Sequence, residues 1–291
     1  MNENSLARFA PLLIGLFAIL FMVARGCKEG PFGRPQIIQI SPEEELLIGR
    51  ESYQKILSQS RVLGRCEIVD RVRGIGKRLA RATHHPKIRE ILHLKTELPL
   101  EWEFNVLESS QINAFCLPGG KVAVYTGIIP VAQTDDGLAV VMGHEIGHAL
   151  ARHGAERMAQ SQLVQTGQLA VANSLGHMDP QAAQTVMGLM GAGAQYGVLL
   201  PFSRSHESEA DHIGILLMAI AGYNPAEAPN FWDRMKKATG NQRQPEFLST
   251  HPSPESRQQH LADWYNQEAK SLYLSSDKAI SERLPTALRS R

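Results

Sequence analysis

The sequence predicts an α+β fold, mainly helical, with one small sheet. Three observations carry this expectation. Apolar residues recur at helical spacing through most of the chain from Ser41 onward. Only one region, Trp102 to Thr126, breaks into short alternating runs about a Pro-Gly-Gly turn, as paired strands do. And 291 residues, 43% of them hydrophobic, are enough to bury one sizeable core.

The elements follow in order. Phe9 to Ala24 is an almost unbroken apolar run. It is long for a secretory core and slightly short for a span, and residues 1–26 read as a signal peptide or membrane anchor. The start is Arg-poor and contains Glu3, which disfavours a mitochondrial presequence. Cys27 invites a lipoprotein reading, weakly supported because Arg25 and Ala24 stand where a lipid-attachment box has a small residue and Leu. Arg25, Lys28 and Arg34 follow the run while only Arg8 precedes it; taken literally, the charge rule sets the body in the cytoplasm, against an envelope location.

Residues 27–40 read as linker, and 41–275 as the main domain before a tail at 276–291. Ser41-Pro-Glu-Glu44 is a capping box with Pro at the first helical position, opening a helix to about Leu63. Ile68 to Thr83 forms a second helix, whose Arg71, Arg73, Lys77, Arg78 and Arg81 read as a solvated face. Trp102–Leu107 is a strand; Ile112–Thr126 is two more about Pro118-Gly119-Gly120. A short helix near 127–133 leads to a long one capped by Thr134 or Asp135, helical again after His153 to about Leu175. Val186–Leu200, rich in Gly, Ala and Met, reads as a flap or packing helix.

A net charge of +1 leaves no electrostatic footprint for nucleic acid. Cys27, Cys66 and Cys116 form no C-x-x-C pair, which disfavours a cysteine zinc site. Cys66 and Cys116 either pair or stay as separate buried thiols.

The chemistry sits in Val140-Val-Met-Gly-His144-Glu145-Ile-Gly-His148. Residues four apart share a helix face, so both imidazoles reach one metal ion. Glu145, turned about 100° from His144, stands beside that ion, where it can act as general base. A buried, apolar helix carrying two histidines and a glutamate needs a reason, and a metal supplies one. A zinc peptidase uses three protein ligands and leaves a position for water. Ten residues after His144 stands Gly154, so the all-histidine solution fails; His153 comes one residue early and reads as a helix-end histidine. A carboxylate from a second helix is the other solution. Ser203-Arg-Ser-His-Glu207-Ser-Glu209-Ala-Asp211 offers Glu207 as ligand and Asp211, on the same face, to orient a ligand imidazole. Glu209 is turned about 200° away and reads as solvent-facing.

In these segments the chain resembles peptidase family M48, zinc metalloendopeptidases of the HtpX and CAAX-prenyl-protease type, in their periplasmic and mitochondrial quality-control branches. Asn113-Ala-Phe-Cys-Leu-Pro-Gly-Gly120, His144-Glu-Ile-Gly-His-Ala-Leu-Ala-Arg-His-Gly154 and Ser203 to Asp211 carry the resemblance. It implies a zincin-like core with a small sheet whose edge lies beside the zinc helix. It also implies one Zn2+ per chain on His144, His148 and Glu207, Glu145 as base, and Asp211 supporting a ligand. The strand Asn113, Ala114, Phe115 and Cys116 is expected to receive a polypeptide substrate as an added strand. Thr250-His251-Pro-Ser-Pro-Glu-Ser-Arg257 matches a family segment; His251 is expected to steady the oxyanion or fill the open position, and Arg257 to orient substrate or a carboxylate. Cys116 as a thiolate plug is a weaker idea. The implied activity is cleavage of unfolded or misassembled membrane and envelope proteins, and the implied location is membrane-anchored or periplasmic. Its rivals are a zinc-binding, non-cleaving chaperone and an anchored scaffold with an accidental motif. Four strong spans and a 34-residue C-terminal repeat, present in some members, are missing from this sequence.

Overall fold

The computed structural model describes residues 3–95, 97–175, 181, 184–185, 203–239, 251 and 256–278. The expected flap at 186–200 lies outside the described residues. The chain divides into two compact units, one of residues 1–29, 34–40 and 155–200, the other of 30–33, 41–154 and 201–291.

In the first unit, α1 (Glu3–Gly26) lies along the later part of α7 (His153–Ser174). Gly15 meets Ala170, where a Cβ would collide, and Ile19 meets Gly167. Phe9–Gly26 is apolar and long enough to cross a membrane, and Leu13, Ile14 and Phe17 on it are exposed. The expected linker is ordered: β1 (Cys27–Glu29) pairs antiparallel with β2 (Pro35–Ile37), with Cys27 opposite Ile37. Arg34 then forms a 2.8 Å ion pair with Glu156.

The second unit opens on α2 (Pro42–Gln59), whose capping box is formed: Ser41 Oγ accepts from the Glu44 N–H at 3.2 Å and Glu44 Oε2 from the Ser41 N–H at 2.7 Å. The helix stops at Gln59 rather than Leu63 because the next residues leave to join the sheet. Val62 bridges Leu107, and the Leu63 N–H donates to the Val106 carbonyl at 2.9 Å. On α3 (Glu67–Thr83), Ile68, Val69, Val72, Ile75 and Leu79 form a continuous buried face. Its basic face is not simply solvated: Arg71 pairs with Asp135 at 2.7 Å, and Arg78 donates to the Ala221 carbonyl at 2.8 Å. Two of the arginines thus fasten α3 to the helices described next.

The sheet has the order β3 (Glu103–Leu107), β5 (Lys121–Tyr125), β4 (Ala114–Leu117). The β4–β5 hairpin turns through Gly119 and Gly120 at φ +78° and +84°, conformations that favour glycine. β3 joins β5 in parallel, so β4 is an outer strand, packed beside the helix at Asp135–Leu150. After α4 (Pro86–Ile91) and α5 (Ile129–Ala132) comes α6 (Asp135–Leu150), capped by Thr134 Oγ1 on the Gly137 N–H at 3.1 Å. α6 is buried almost throughout, as its all-round apolar pattern requires. It ends just before Arg152, which takes φ 57°, and α7 starts at His153.

α8 (Arg204–Ala221), capped by Ser203, crosses α6 backbone to backbone. A Cβ built on Gly147 would lie 2.7 Å from the Ala210 carbonyl oxygen, and one on Gly214 2.9 Å from the His144 nitrogen. α9 (Glu227–Thr239), α10 (Arg257–Trp264), a π-turn at Tyr265–Ala269 and α11 (Lys270–Ser275) complete the unit. Cys66 and Cys116 are not bonded to each other, and all three thiols are free. His212 lies flat between Phe32 and Trp264, with ring centroids 4.6 and 4.5 Å away.

Two consequences can be measured. Gly147→Val forces backbone apart at the α6–α8 crossing and should cost about 1–3 kcal/mol, seen as a lower thermal midpoint. Gly154→Ala, whose added methyl meets only Pro118 among the described residues, at 3.5 Å, should leave the midpoint nearly unchanged. The second concerns His212, whose pKa burial lowers from 6.5 against the opposing pull of Glu268. The unfolded chain therefore binds the proton first, and the stability present above pH 6.5 is lost as pH falls below it. Denaturant melts of His212→Phe and the parent at pH 8 and pH ~5.5 should show the variant gaining relative to the parent at the lower pH.

Candidate metal centre

Three segments converge on one buried spot. α6 brings His144 and His148 on one face, a turn apart; α8 brings Glu207 across the glycine contact; His251 arrives from a later segment. All four are at least 96% buried, and Glu207 is fully so. One donor atom of each lies within 4.8 Å of the others. The closest set is tight. His148 Nε2 is 3.1 Å from His144 Nε2, and the two nitrogens are each 3.4 Å from a Glu207 oxygen. A tetrahedral ion with bonds of about 2.0–2.1 Å holds its donors about 3.3–3.4 Å apart. The donor set, two imidazoles and a carboxylate, is also the chemistry a zinc-class dication takes. These residues fit such an ion.

His251 Nδ1 completes a fourth corner, 3.0 Å from Glu207 Oε1 and 3.4 Å from His144 Nε2. Glu145 stands beside the set. Its Oε2 accepts from the Cys116 N–H of β4 at 3.2 Å; its Oε1 is buried, 3.7 Å from His251 Nε2, with no hydrogen-bond partner among the described residues. Asp211 Oδ1 lies 2.9 Å from His144 Nδ1, one helical turn from Glu207 as its spacing predicts. The predicted strand residues Ala114, Phe115 and Cys116 lie on β4, and Asn113 immediately precedes it, its Oδ1 accepting from the Ala114 N–H at 2.9 Å.

The electrostatics explain how so many charges stay buried. Arg257 spans the two carboxylates, Nε to Asp211 at 2.6 Å and Nη2 to Glu207 at 3.0 Å, and its guanidinium lies 3.8 Å from the Trp232 ring centroid. Burial would raise the Glu207 pKa, but hydrogen bonds from His144, His148 and His251 hold it well below the carboxylate range. Burial would likewise depress His144, yet Asp211 and Glu207 lift it to about 10. For His148 burial wins and the pKa falls. Glu145 is pushed up by burial, only partly offset by His251 and His144. The field at His144 favours a positive charge, which a dication among these donors would supply.

Two residues differ from expectation. His153 is no helix-end bystander: it is fully buried, with Nδ1 2.8 Å from His148 Nδ1 and Nε2 2.7 Å from Glu209 Oε2. Glu209 is 8% exposed rather than solvent-facing. Its direction, away from Glu207, follows helical rotation, but that side of α8 meets His153 instead of water. Trp232 went unread, since an isolated tryptophan on α9 carries no motif. Cys116 keeps its thiol on the Leu117 carbonyl at 3.5 Å, and burial raises its pKa, which disfavours a thiolate plug.

Comparison with known proteins agrees with this geometry. The chain is 38% identical over 178 residues to the mitochondrial metalloendopeptidase OMA1 of Schizosaccharomyces pombe, covering 61% of this chain and 50% of that protein. With the Saccharomyces cerevisiae protein of the same name it shares 29% identity over 285 residues, 94% of this chain and 79% of the relative. The beta-barrel assembly-enhancing protease of Escherichia coli strain K12 is 34% identical over 171 residues, 57% of this chain and 34% of its own length. The chain thus spans half the length of the fission-yeast relative and a third of the bacterial one. The sequence pattern of peptidase family M48 matches residues 75–265, from the middle of α3 to just past α10, and this chain belongs to that family.

Proposed function

We propose that the chain is a zinc-dependent metalloendopeptidase, with one zinc ion held by His144 Nε2, His148 Nε2 and the Glu207 carboxylate. The observation that carries this reading is the 3.1–3.4 Å spacing of those three donors with the Glu145 carboxylate alongside. When bound, the ion supplies Lewis acidity, bringing the pKa of a coordinated water toward ~7 and polarising the scissile carbonyl. The chain's own groups do the rest. Glu145, its pKa raised by burial and one oxygen without a hydrogen-bond partner among the described residues, takes the proton of the attacking water and later hands one to the leaving nitrogen. Asp211 keeps His144 oriented, and Arg257 holds the Glu207 and Asp211 carboxylates in place with one hydrogen bond to each. His251 is assigned to charge developing on the carbonyl oxygen through Nε2, and to the fourth corner through Nδ1 in the resting enzyme.

The substrate is a polypeptide, laid as an added strand along the outer edge of β4 beside α6. Recognition through main-chain groups suits unfolded or misassembled membrane and envelope proteins, in keeping with the names of the relatives. Phe9–Gly26 anchors the chain to a membrane; lipidation at Cys27 is not part of this reading.

Glu145→Gln should retain one zinc per chain by metal analysis while casein cleavage falls about 10²–10⁴-fold. Full cleavage with the parental pH profile would overturn the assignment, as would a parent that binds no zinc and is indifferent to chelators. Arg257→Met leaves two buried carboxylates without their cation and should lose about 3–5 kcal/mol of stability in chemical denaturation, with Arg257→Lys losing less.

A further inference from the structure

We infer that Glu209 and His153 form a hydrogen-bonded chain that fixes the proton of His148 on Nδ1 and keeps its Nε2 lone pair turned to the metal. Both are positioning residues, a role that presupposes the metal site proposed above.

The proton assignments follow from one requirement. His148 Nε2 is the atom that stands 3.1 Å from His144 Nε2 and 3.4 Å from Glu207, so it is the donor to the ion. An imidazole that binds through Nε2 carries its proton on Nδ1. His148 Nδ1 lies 2.8 Å from His153 Nδ1, and two ring nitrogens at that distance share one proton. His148 supplies it, so His153 Nδ1 accepts. A neutral ring accepting at Nδ1 has its own proton on Nε2, and His153 Nε2 faces Glu209 Oε2 at 2.7 Å, an acceptor. A doubly protonated His153 would donate at both nitrogens, forcing the His148 proton onto Nε2 and closing it to metal. The carboxylate at the far end therefore sets the direction of every bond in the chain.

The surroundings protect this arrangement. His153 is fully buried and Glu209 nearly so, which keeps water from supplying other partners. The His206 ring stacks on His153 at 4.3 Å and 30°, holding its plane. His144 is served differently: its Nδ1 meets the Asp211 carboxylate directly at 2.9 Å. One ligand is thus backed by a carboxylate at first hand, the other through an interposed imidazole. Two turns of α8 supply the ligand Glu207 and both outer carboxylates.

The test uses the full-length protein in detergent, made inert by Glu145→Gln and loaded with zinc. Nitrogen-15 histidine spectra should show the His148 proton on Nδ1 and the His153 proton on Nε2. In competition with a chromophoric chelator, His153→Leu should bind zinc about 10–100-fold more weakly. His153→Asn, whose Oδ1 can take the place of the accepting nitrogen, should recover most of that loss. A His148 proton on Nε2 in the loaded protein overturns the inference, and so does a His153→Leu variant with parental affinity. If His153→Leu fails to fold, the spectra of the parent decide. A parent that takes up no stoichiometric zinc fails at the earlier step, overturning the metal site and this chain together.

Discussion

The structure depends on one close approach, the crossing of α6 and α8 at Gly143, Gly147, Ala210 and Gly214. Helices with larger residues pack about 8–10 Å apart; here small residues let one backbone touch the other. That contact is what allows a short side chain on α8, Glu207, to reach between two imidazoles on α6. A carboxylate that is fully buried carries a desolvation penalty of several kcal/mol. It is offset by donors on several sides: His144, His148, His251 and Arg257. The crossing and the charges therefore need each other. Without the glycines the carboxylate falls short of the rings, and without the rings and guanidinium it cannot stay in the interior.

The two α6 histidines show why the arrangement is more than a packed core. They are the same residue type, four positions apart, equally buried, yet their pKa values move in opposite directions. His144 touches two carboxylates and is lifted; His148 touches one, lies beside His144 and His251, and is lowered. A core evolved for stability alone has no use for this imbalance, since polar groups this deep are weak stabilisers at best. A divalent cation would remove it, since both rings would then serve as neutral ligands and the positive charge would sit beside the carboxylates.

The parts legible in the sequence were those fixed locally. Ser41 and Glu44, and Thr134, announced helix starts because a cap is a contact between residues three apart. The relation of His144 to His148, and of Glu207 to Asp211, followed from helical rotation alone. What could not be read depended on distant partners. α2 ended early because Val62 and Leu63 met β3, some forty residues on. Arg71 and Arg78 looked solvated until α6 and α8 were placed against α3. His153 was misjudged for a sharper reason. On a continuous helix, five residues past His148 would turn it about 140° away; the left-handed Arg152 breaks the helix and swings it back.

The outer edge of β4 meets Glu145 at one residue, Cys116. In an antiparallel pair, alternate residues turn their N–H and C=O to the partner strand. The Tyr125 N–H donates to the Asn113 carbonyl, so Asn113, Phe115 and Leu117 face β5 while Ala114 and Cys116 face outward. The two outward N–H groups have partners already: Asn113 Oδ1 for Ala114 and Glu145 for Cys116. In the strand-addition reading, a polypeptide along β4 therefore meets the carbonyls of Ala114 and Cys116 and binds there as a donor. The Cys116 N–H holds Glu145, and the Cys116 carbonyl, in the next peptide group, lies on the same outer edge, so in that reading the register of the bound strand and the position of Glu145 would both be referred to one residue.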